Sequence, residues 1–116
     1  MDAGRTRELL GRHSVGLKHA LGQNFLVDEG VARRIAEASG ADRASGVVEI
    51  GAGAGALTAQ LAAVAGRVVT IEIDRRLEPV LRESLAGAGG GAVELLFEDA
   101  MKVDFAAVVR ERIAPL

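Results

Sequence analysis

The chain has 116 residues with a net charge of −2, 49% hydrophobic residues and no cysteine. This composition excludes a disulfide framework and a thiolate-bound metal, and it argues against disorder, which combines low hydrophobicity with high net charge. No apolar run approaches the roughly 18 residues of a membrane span, and the N-terminus lacks the apolar stretch of a secretory signal. We therefore expect a soluble cytoplasmic protein without a membrane partner.

The first third of the chain predicts a helical extension. Residues 5–12 favour a short helix. Asp28 is a suitable N-cap for a second helix over about 29–39. In that helix Val31 and Ile35 lie one turn apart, so that they share one apolar face.

Charge is unevenly distributed along the chain. Residues 1–20 carry four Lys or Arg and two His against two acidic side chains, whereas residues 47–116 carry seven Lys or Arg against ten acidic side chains. A basic end on an acidic body is compatible with contact to nucleic acid. An ordinary solvated helix face explains the same charges, and charge alone favours that simpler interpretation.

After the extension, short β-branched runs alternate with helical patterns. Residues 47–50, 68–73 and 93–97 predict three buried strands. The second run is apolar on both faces, which is typical of parallel strands that are covered by helices.

The later helices carry their own start signals. Asp74 is placed to cap the second of them. Pro79 predicts either an irregular first turn of this helix or a start near Glu78. Asp104 is placed to cap the last helix. With right-handed crossovers, the resulting β-α-β-α-β-α order predicts a parallel sheet in the strand order 3-2-1, half of a doubly wound α/β fold.

The strongest chemical signal is the glycine-rich turn at residues 51–55, between the first strand and its helix. Glycine lets the backbone turn sharply and approach a ligand, towards which the first N–H groups of the helix point. Glu72 ends the second strand 21 residues after Gly51, where a carboxylate accepts hydrogen bonds from both hydroxyls of a ribose. Asp99 follows the third strand at the same rim, where it is placed to accept a hydrogen bond from an adenine amino group or to cap a turn. Together these residues predict a site for an adenosine-containing ligand.

Two kinds of adenosine ligand fit this spacing. Gly51, Gly53 and Ala56 also match the dinucleotide fingerprint, whose last position allows Ala. Glu49, however, places a carboxylate two residues before the first glycine, where a sulfonium or ammonium group is favoured and a pyrophosphate is not. With Asp99 as a second acid, we expect an electronegative pocket and S-adenosylmethionine as the cofactor, rather than the dinucleotide of an oxidoreductase.

Four motifs follow one another along the chain. They are Lys-His-Ala-Leu-Gly-Gln-Asn-Phe-Leu at 18–26, Val-Glu-Ile-Gly-Ala-Gly-Ala-Gly-Ala-Leu-Thr at 48–58, Ile-Glu-Ile-Asp-Arg-Arg-Leu at 71–77 and Glu-Asp-Ala-Met-Lys-Val-Asp at 98–104. In this order they resemble the ribosomal RNA adenine dimethyltransferases of the KsgA type. The resemblance implies a Rossmann-like methyltransferase fold. It also implies that the cofactor site is lined by Asn24, Leu26, Gly51, Glu72 and Asp99.

The resemblance further implies an activity. Enzymes of this family transfer methyl groups from S-adenosylmethionine to N6 of two adjacent adenosines near the 3′ end of small-subunit ribosomal RNA, which makes the immature 30S subunit the expected partner. The related large-subunit adenine dimethyltransferases of macrolide resistance are an alternative. A non-catalytic RNA-binding or assembly factor on the same fold is another.

The sequence departs from the family pattern at two places. Ala52 stands where the family usually has Pro. The Asn-Leu-Pro-Tyr motif that holds the target amine in the family is not reached by residue 116, so no residue is predicted to be catalytic. We therefore expect residues 1–45 to form the helical extension and residues 46–116 the first half of a methyltransferase domain. Such an inactive cofactor-binding part would expose its first strand as an edge for self-association.

Overall fold

The computed structural model describes residues 3–13, 29–87 and 92–114. The helices are α1 (Ala3–Arg12), α2 (Glu29–Ala38), α3 (Ala56–Val64), α4 (Glu78–Leu85) and α5 (Phe105–Val108), and the strands are β1 (Gly46–Ile50), β2 (Arg67–Ile71) and β3 (Ala92–Leu96). Short 3₁₀ turns at Arg75–Leu77 and Ala100–Lys102 follow β2 and β3, and a π-helical turn, Val109–Ile113, follows α5. Asp28, the predicted N-cap of α2, lies outside the described residues.

The three strands form one parallel sheet in the order β1-β2-β3, as the crossover rule predicted. Their carboxyl ends are level, because Ile50 pairs with Ile71 and Ile71 pairs with Leu96. Backbone hydrogen bonds continue one step beyond the strands, from the Gly51 N–H to the Ile71 carbonyl and from the Glu72 N–H to the Leu96 carbonyl. The segments that leave the three strands therefore begin side by side at one edge of the sheet.

Helices α3 and α4 pack on the same face of the sheet. Val93 belongs to the apolar cluster around α3, and Leu95, two residues further and hence on the same face, packs with the cluster around α4. Glu94 lies between them and faces the other side, where it pairs with Arg112 of the π-helical turn. Two right-handed crossovers that move in one direction along a sheet place their helices on one face in this way.

The predicted cap at Asp104 is confirmed, whereas Asp74 caps the 3₁₀ turn before α4 and not α4 itself, whose N-cap is Leu77. The Asp74 carboxylate accepts a hydrogen bond from the Arg76 N–H, and the Asp104 carboxylate accepts one from the Ala107 N–H. Helix α4 begins at Glu78 with Pro79 in its first turn. Within the described part of the chain, no helix is long and apolar enough to cross a membrane.

Helix α2 does not bury the side chains that predicted it. Val31 and Ile35 are 38% and 48% exposed, whereas Ala32 and Ala36 are buried. Helix α2 packs on α3, and Ala36 shares an apolar cluster with Leu61 and Ala62 of that helix. Small side chains let two helices approach closely. The buried face of α2 is therefore the one that carries its alanines, which a search for hydrophobic periodicity does not single out.

Candidate functional site

A cavity opens at the carboxyl ends of the three strands. It is lined by Ile50, Gly51, Ile71, Glu72, Ile73, Glu98, Asp99 and Ala100. The level strand ends bring these residues together although they come from three separate stretches of sequence. Three of the five predicted site residues, Gly51, Glu72 and Asp99, therefore share one cavity. The other two, Asn24 and Leu26, lie outside the described residues.

The glycine-rich turn adopts backbone conformations that favour glycine. Gly51, Gly53 and Gly55 have φ angles of 83°, 57° and 96°, in the region where a Cβ costs energy. The turn is closed by a 2.9 Å hydrogen bond from the Gly55 N–H to the Ala52 carbonyl. A Cβ at position 51 would meet no atom within 4 Å, whereas a Cβ at position 55 would lie 2.8 Å from Ser84 Oγ. Position 51 thus has open space beside it, whereas position 55 is closely packed against α4.

Glu72 joins the glycine turn to the end of β2. Its side chain is buried, its Oε1 accepts a 3.1 Å hydrogen bond from the Gly53 N–H, and its Oε2 accepts a 3.0 Å bond from the Asp74 N–H. These two backbone donors fix the orientation of the carboxylate at the edge of the cavity.

Asp99 caps a turn and faces the cavity at the same time. Its Oδ1 accepts a 2.9 Å hydrogen bond from the Met101 N–H, which begins the 3₁₀ turn after β3. Its Oδ2 has no hydrogen-bond partner among the described residues. The capping alternative is therefore confirmed, and it leaves one carboxylate oxygen available for a ligand donor.

The sequence reasoning missed five residues of the cavity, which are Ile50, Ile71, Ile73, Glu98 and Ala100. Glu98 adds a third carboxylate beside Glu72 and Asp99. Ile50 and Ile73 are 61% and 53% exposed and line the same opening. A β-branched apolar residue directly before the glycine turn, or directly after the ribose-binding acid, is the signal that would have pointed to them.

The prediction for Glu49 was wrong, because the residue does not line this cavity. Its side chain is 7% exposed, and its Oε1 accepts hydrogen bonds from the hydroxyls of Thr58 on α3 and Thr70 on β2. Its Oε2 is buried without a hydrogen-bond partner among the residues that the structure describes. Burial raises the pKa of the Glu49 carboxyl above its ordinary value, although the two threonine hydroxyls lower it in part. The pocket is electronegative as expected, but its charge comes from Glu72, Glu98 and Asp99.

Two of the three arginines of α1, Arg5 and Arg12, are paired within the protein. Glu83 on α4 accepts hydrogen bonds from Arg5, at 3.4 Å, and from Arg12, and it lies 3.1 Å from Nε2 of His13. Glu8 pairs with the same two arginines. This is the arrangement of a solvated helix face, and it weakens the interpretation of α1 as a nucleic-acid contact.

Comparison with known sequences decides the family. The model of the ribosomal RNA adenine dimethylase family matches residues 15–115. The chain belongs to this family. A family relative, the ribosomal RNA small subunit methyltransferase A of Geobacillus thermodenitrificans, is 44% identical over 96% of this chain and 37% of the relative. The chain thus spans little more than a third of the length of that curated relative.

Solved structures agree with the family and with the predicted Rossmann-like methyltransferase fold. A dimethyladenosine transferase from Plasmodium falciparum is 31% identical, with a TM-score of 0.61 over 69% of this chain and 29% of that one. The 23S rRNA methyltransferase ErmE is 39% identical, with a TM-score of 0.60 over 69% and 32%. The N-terminal domain of EvdMO1, solved with S-adenosylhomocysteine (SAH) bound, is 29% identical, with a TM-score of 0.56 over 69% and 33%.

Proposed function

We propose that the cavity binds S-adenosylmethionine and that the protein dimethylates N6 of two adjacent adenosines near the 3′ end of small-subunit ribosomal RNA. The observation that carries the proposal is the meeting of Gly51, Glu72 and Asp99 in one cavity of a chain of this family. The family's small-subunit relatives support the choice of RNA. The immature 30S subunit is the proposed partner.

The residues of the cavity suit the cofactor. Gly51 leaves open space where another residue would place a Cβ. Ile50 and Ile73 expose apolar surface next to the two acids, as a planar base requires. The acids Glu72 and Asp99 favour a ligand that brings a positive sulfonium and hydroxyl or amine donors, and they disfavour the pyrophosphate of a dinucleotide.

Each residue of the site has a binding role in this proposal. Glu72, held by the N–H groups of Gly53 and Asp74, accepts hydrogen bonds from the ribose hydroxyls. Asp99 accepts one from the adenine amine through Oδ2. When bound, S-adenosylmethionine supplies the methyl group, and the chain contributes chiefly by holding it in a fixed orientation. The RNA adenosine has to leave its stack to reach such a pocket.

A calorimetric titration of the chain with SAH tests the site. We expect Glu72→Gln to raise the Kd at least tenfold, because hydrogen bonds to a charged acceptor contribute about 1.5–3 kcal/mol and a tenfold change corresponds to about 1.4 kcal/mol. Glu94→Gln is the matched control, since Glu94 pairs with Arg112 away from the cavity. Equal affinities for all three proteins, or no binding by the unaltered chain, would contradict the proposed site.

The likeness to ErmE makes a large-subunit RNA the second candidate substrate. Full-length protein incubated with labelled S-adenosylmethionine and either immature small subunits or 23S RNA separates the two. We expect the label to enter the small-subunit RNA at adjacent adenosines. Label in 23S RNA alone would establish the second candidate, and RNA binding without label in either would point to a non-catalytic assembly factor.

A further inference from the structure

One side chain of helix α4, that of Ser84, contacts the glycine turn on the side away from the cavity. Ser84 Oγ donates a 2.8 Å hydrogen bond to the Ala54 carbonyl, which is shorter than its 3.3 Å approach to the Leu81 carbonyl in its own helix. The same hydroxyl oxygen lies 2.8 Å from the place where Gly55 would carry a Cβ. Ser84 therefore contacts two successive residues of the turn although it lies outside the cavity lining.

The same turn also forms a hydrogen bond with Glu72. The Gly53 N–H donates to Glu72 Oε1 at 3.1 Å, so one turn of backbone connects the Ser84 hydroxyl to the carboxylate in the cavity. Gly53, Ala54 and Gly55 are all buried. A shift of the Ala54 carbonyl would move the Gly53 N–H with it and would release one of the two backbone donors that orient Glu72.

Apolar packing also supports this arrangement, but it does not fix the orientation of the Ala54 carbonyl. Ala52 and Ala54 belong to one buried cluster with Leu9 and Leu10 of α1 and with Leu81 of α4. Methyl groups of alanine give contact area without direction. A hydroxyl–carbonyl hydrogen bond is directional, so Ser84 and the bond from the Gly55 N–H to the Ala52 carbonyl together set the orientation of the peptide after Ala54.

We propose that Ser84 is a positioning residue of the cofactor site: through Ala54 it fixes the glycine turn, and through Gly53 it keeps Glu72 oriented for the ligand. The inference rests on the proposed function of the cavity and extends it to a residue in α4 that touches no ligand.

Ser84→Ala tests the inference, with Ser39→Ala as the matched control. Ser39 Oγ likewise donates to a main-chain carbonyl, that of Ala36, and accepts from the Ala41 N–H, but it lies at the end of α2 outside the cavity lining. We expect Ser84→Ala to raise the Kd for SAH about fivefold, the equivalent of one ordinary hydrogen bond. Ser39→Ala should change the Kd less than twofold. Alanine has the higher helix propensity, so Ser84→Ala should fold.

Hydrogen exchange of the unliganded chain gives a second readout that general destabilisation would not produce. We expect Ser84→Ala to speed exchange of the Gly53 amide several-fold while the Val69 amide in the centre of β2 is unchanged. Unchanged exchange at Gly53 together with an unchanged Kd would overturn the inference, as would equal losses of affinity in both serine variants. If the unaltered chain binds no SAH, the proposed function fails, and exchange at Gly53 alone then decides the role of Ser84.

Discussion

Replacing each of two glycines of the same turn by alanine separates backbone strain from packing. Gly51 and Gly55 both have positive φ, 83° and 96°, so alanine at either position costs about 1–2 kcal/mol for the left-handed conformation. At position 51 that is the whole cost, because a Cβ there would meet no atom within 4 Å.

At position 55 a second cost is added. The new Cβ would lie 2.8 Å from Ser84 Oγ and 3.3 Å from Leu81 Cδ2. The hydroxyl has to turn away and give up its bond to the Ala54 carbonyl, which is worth about 1 kcal/mol. We therefore expect Gly55→Ala to lower the free energy of unfolding by about 2–3 kcal/mol, compared with about 1–2 kcal/mol for Gly51→Ala.

Urea unfolding of both variants without ligand measures the difference. The double variant Gly55→Ala/Ser84→Ala completes the test, because the extra cost at position 55 should vanish when the hydroxyl is already absent. The reasoning would be refuted if Gly51→Ala and Gly55→Ala cost the same, or if the effects of Gly55→Ala and Ser84→Ala were additive.

Three further predictions concern pH, the end of α3 and the sheet edge. The raised pKa of Glu49 means that the folded state binds the proton of this carboxyl more tightly than the unfolded state does. The contribution of Glu49 to the free energy of unfolding should therefore be fully present below pH 4.5, its ordinary pKa, and should be lost as pH rises through the folded pKa. Glu49→Gln should therefore be the more stable protein at pH 7 and lose its advantage below about pH 4.5 in urea titrations; a constant difference would contradict this. Arg43 donates hydrogen bonds to the carbonyls of Ala62, Ala63 and Ala65 at the end of α3. Arg43→Ala should therefore lower the free energy of unfolding, measured by thermal unfolding, by about 1 kcal/mol. Arg43→Lys, which keeps the charge, should lower it less. Strand β1 is an edge of the described sheet, and we predict concentration-dependent self-association in sedimentation experiments; a monomer at every concentration would disprove it.

Much of the site could be predicted because its signals are local or follow from topology. The strand, the glycine turn and the helix after it lie within 20 residues, and the caps Asp74 and Asp104 act on N–H groups two or three residues away. Parallel strands with level ends then bring Gly51, Glu72 and Asp99 to one edge. None of these steps requires knowledge of how the helices pack.

The sequence by itself therefore determined the order of the elements, the sheet topology and the placement of Gly51, Glu72 and Asp99 at its edge. Only the tertiary structure decided that Glu49 faces Thr58 rather than the ligand, because alternate strand residues point to opposite faces of the sheet and the packing of α3 decides which face it covers. It also decided that Ser84 holds Ala54 and that Glu83 pairs with Arg5 and Arg12 of α1. These contacts join residues 30 and more than 70 positions apart, and they depend on the packing of α4 against its neighbours, which no local pattern records.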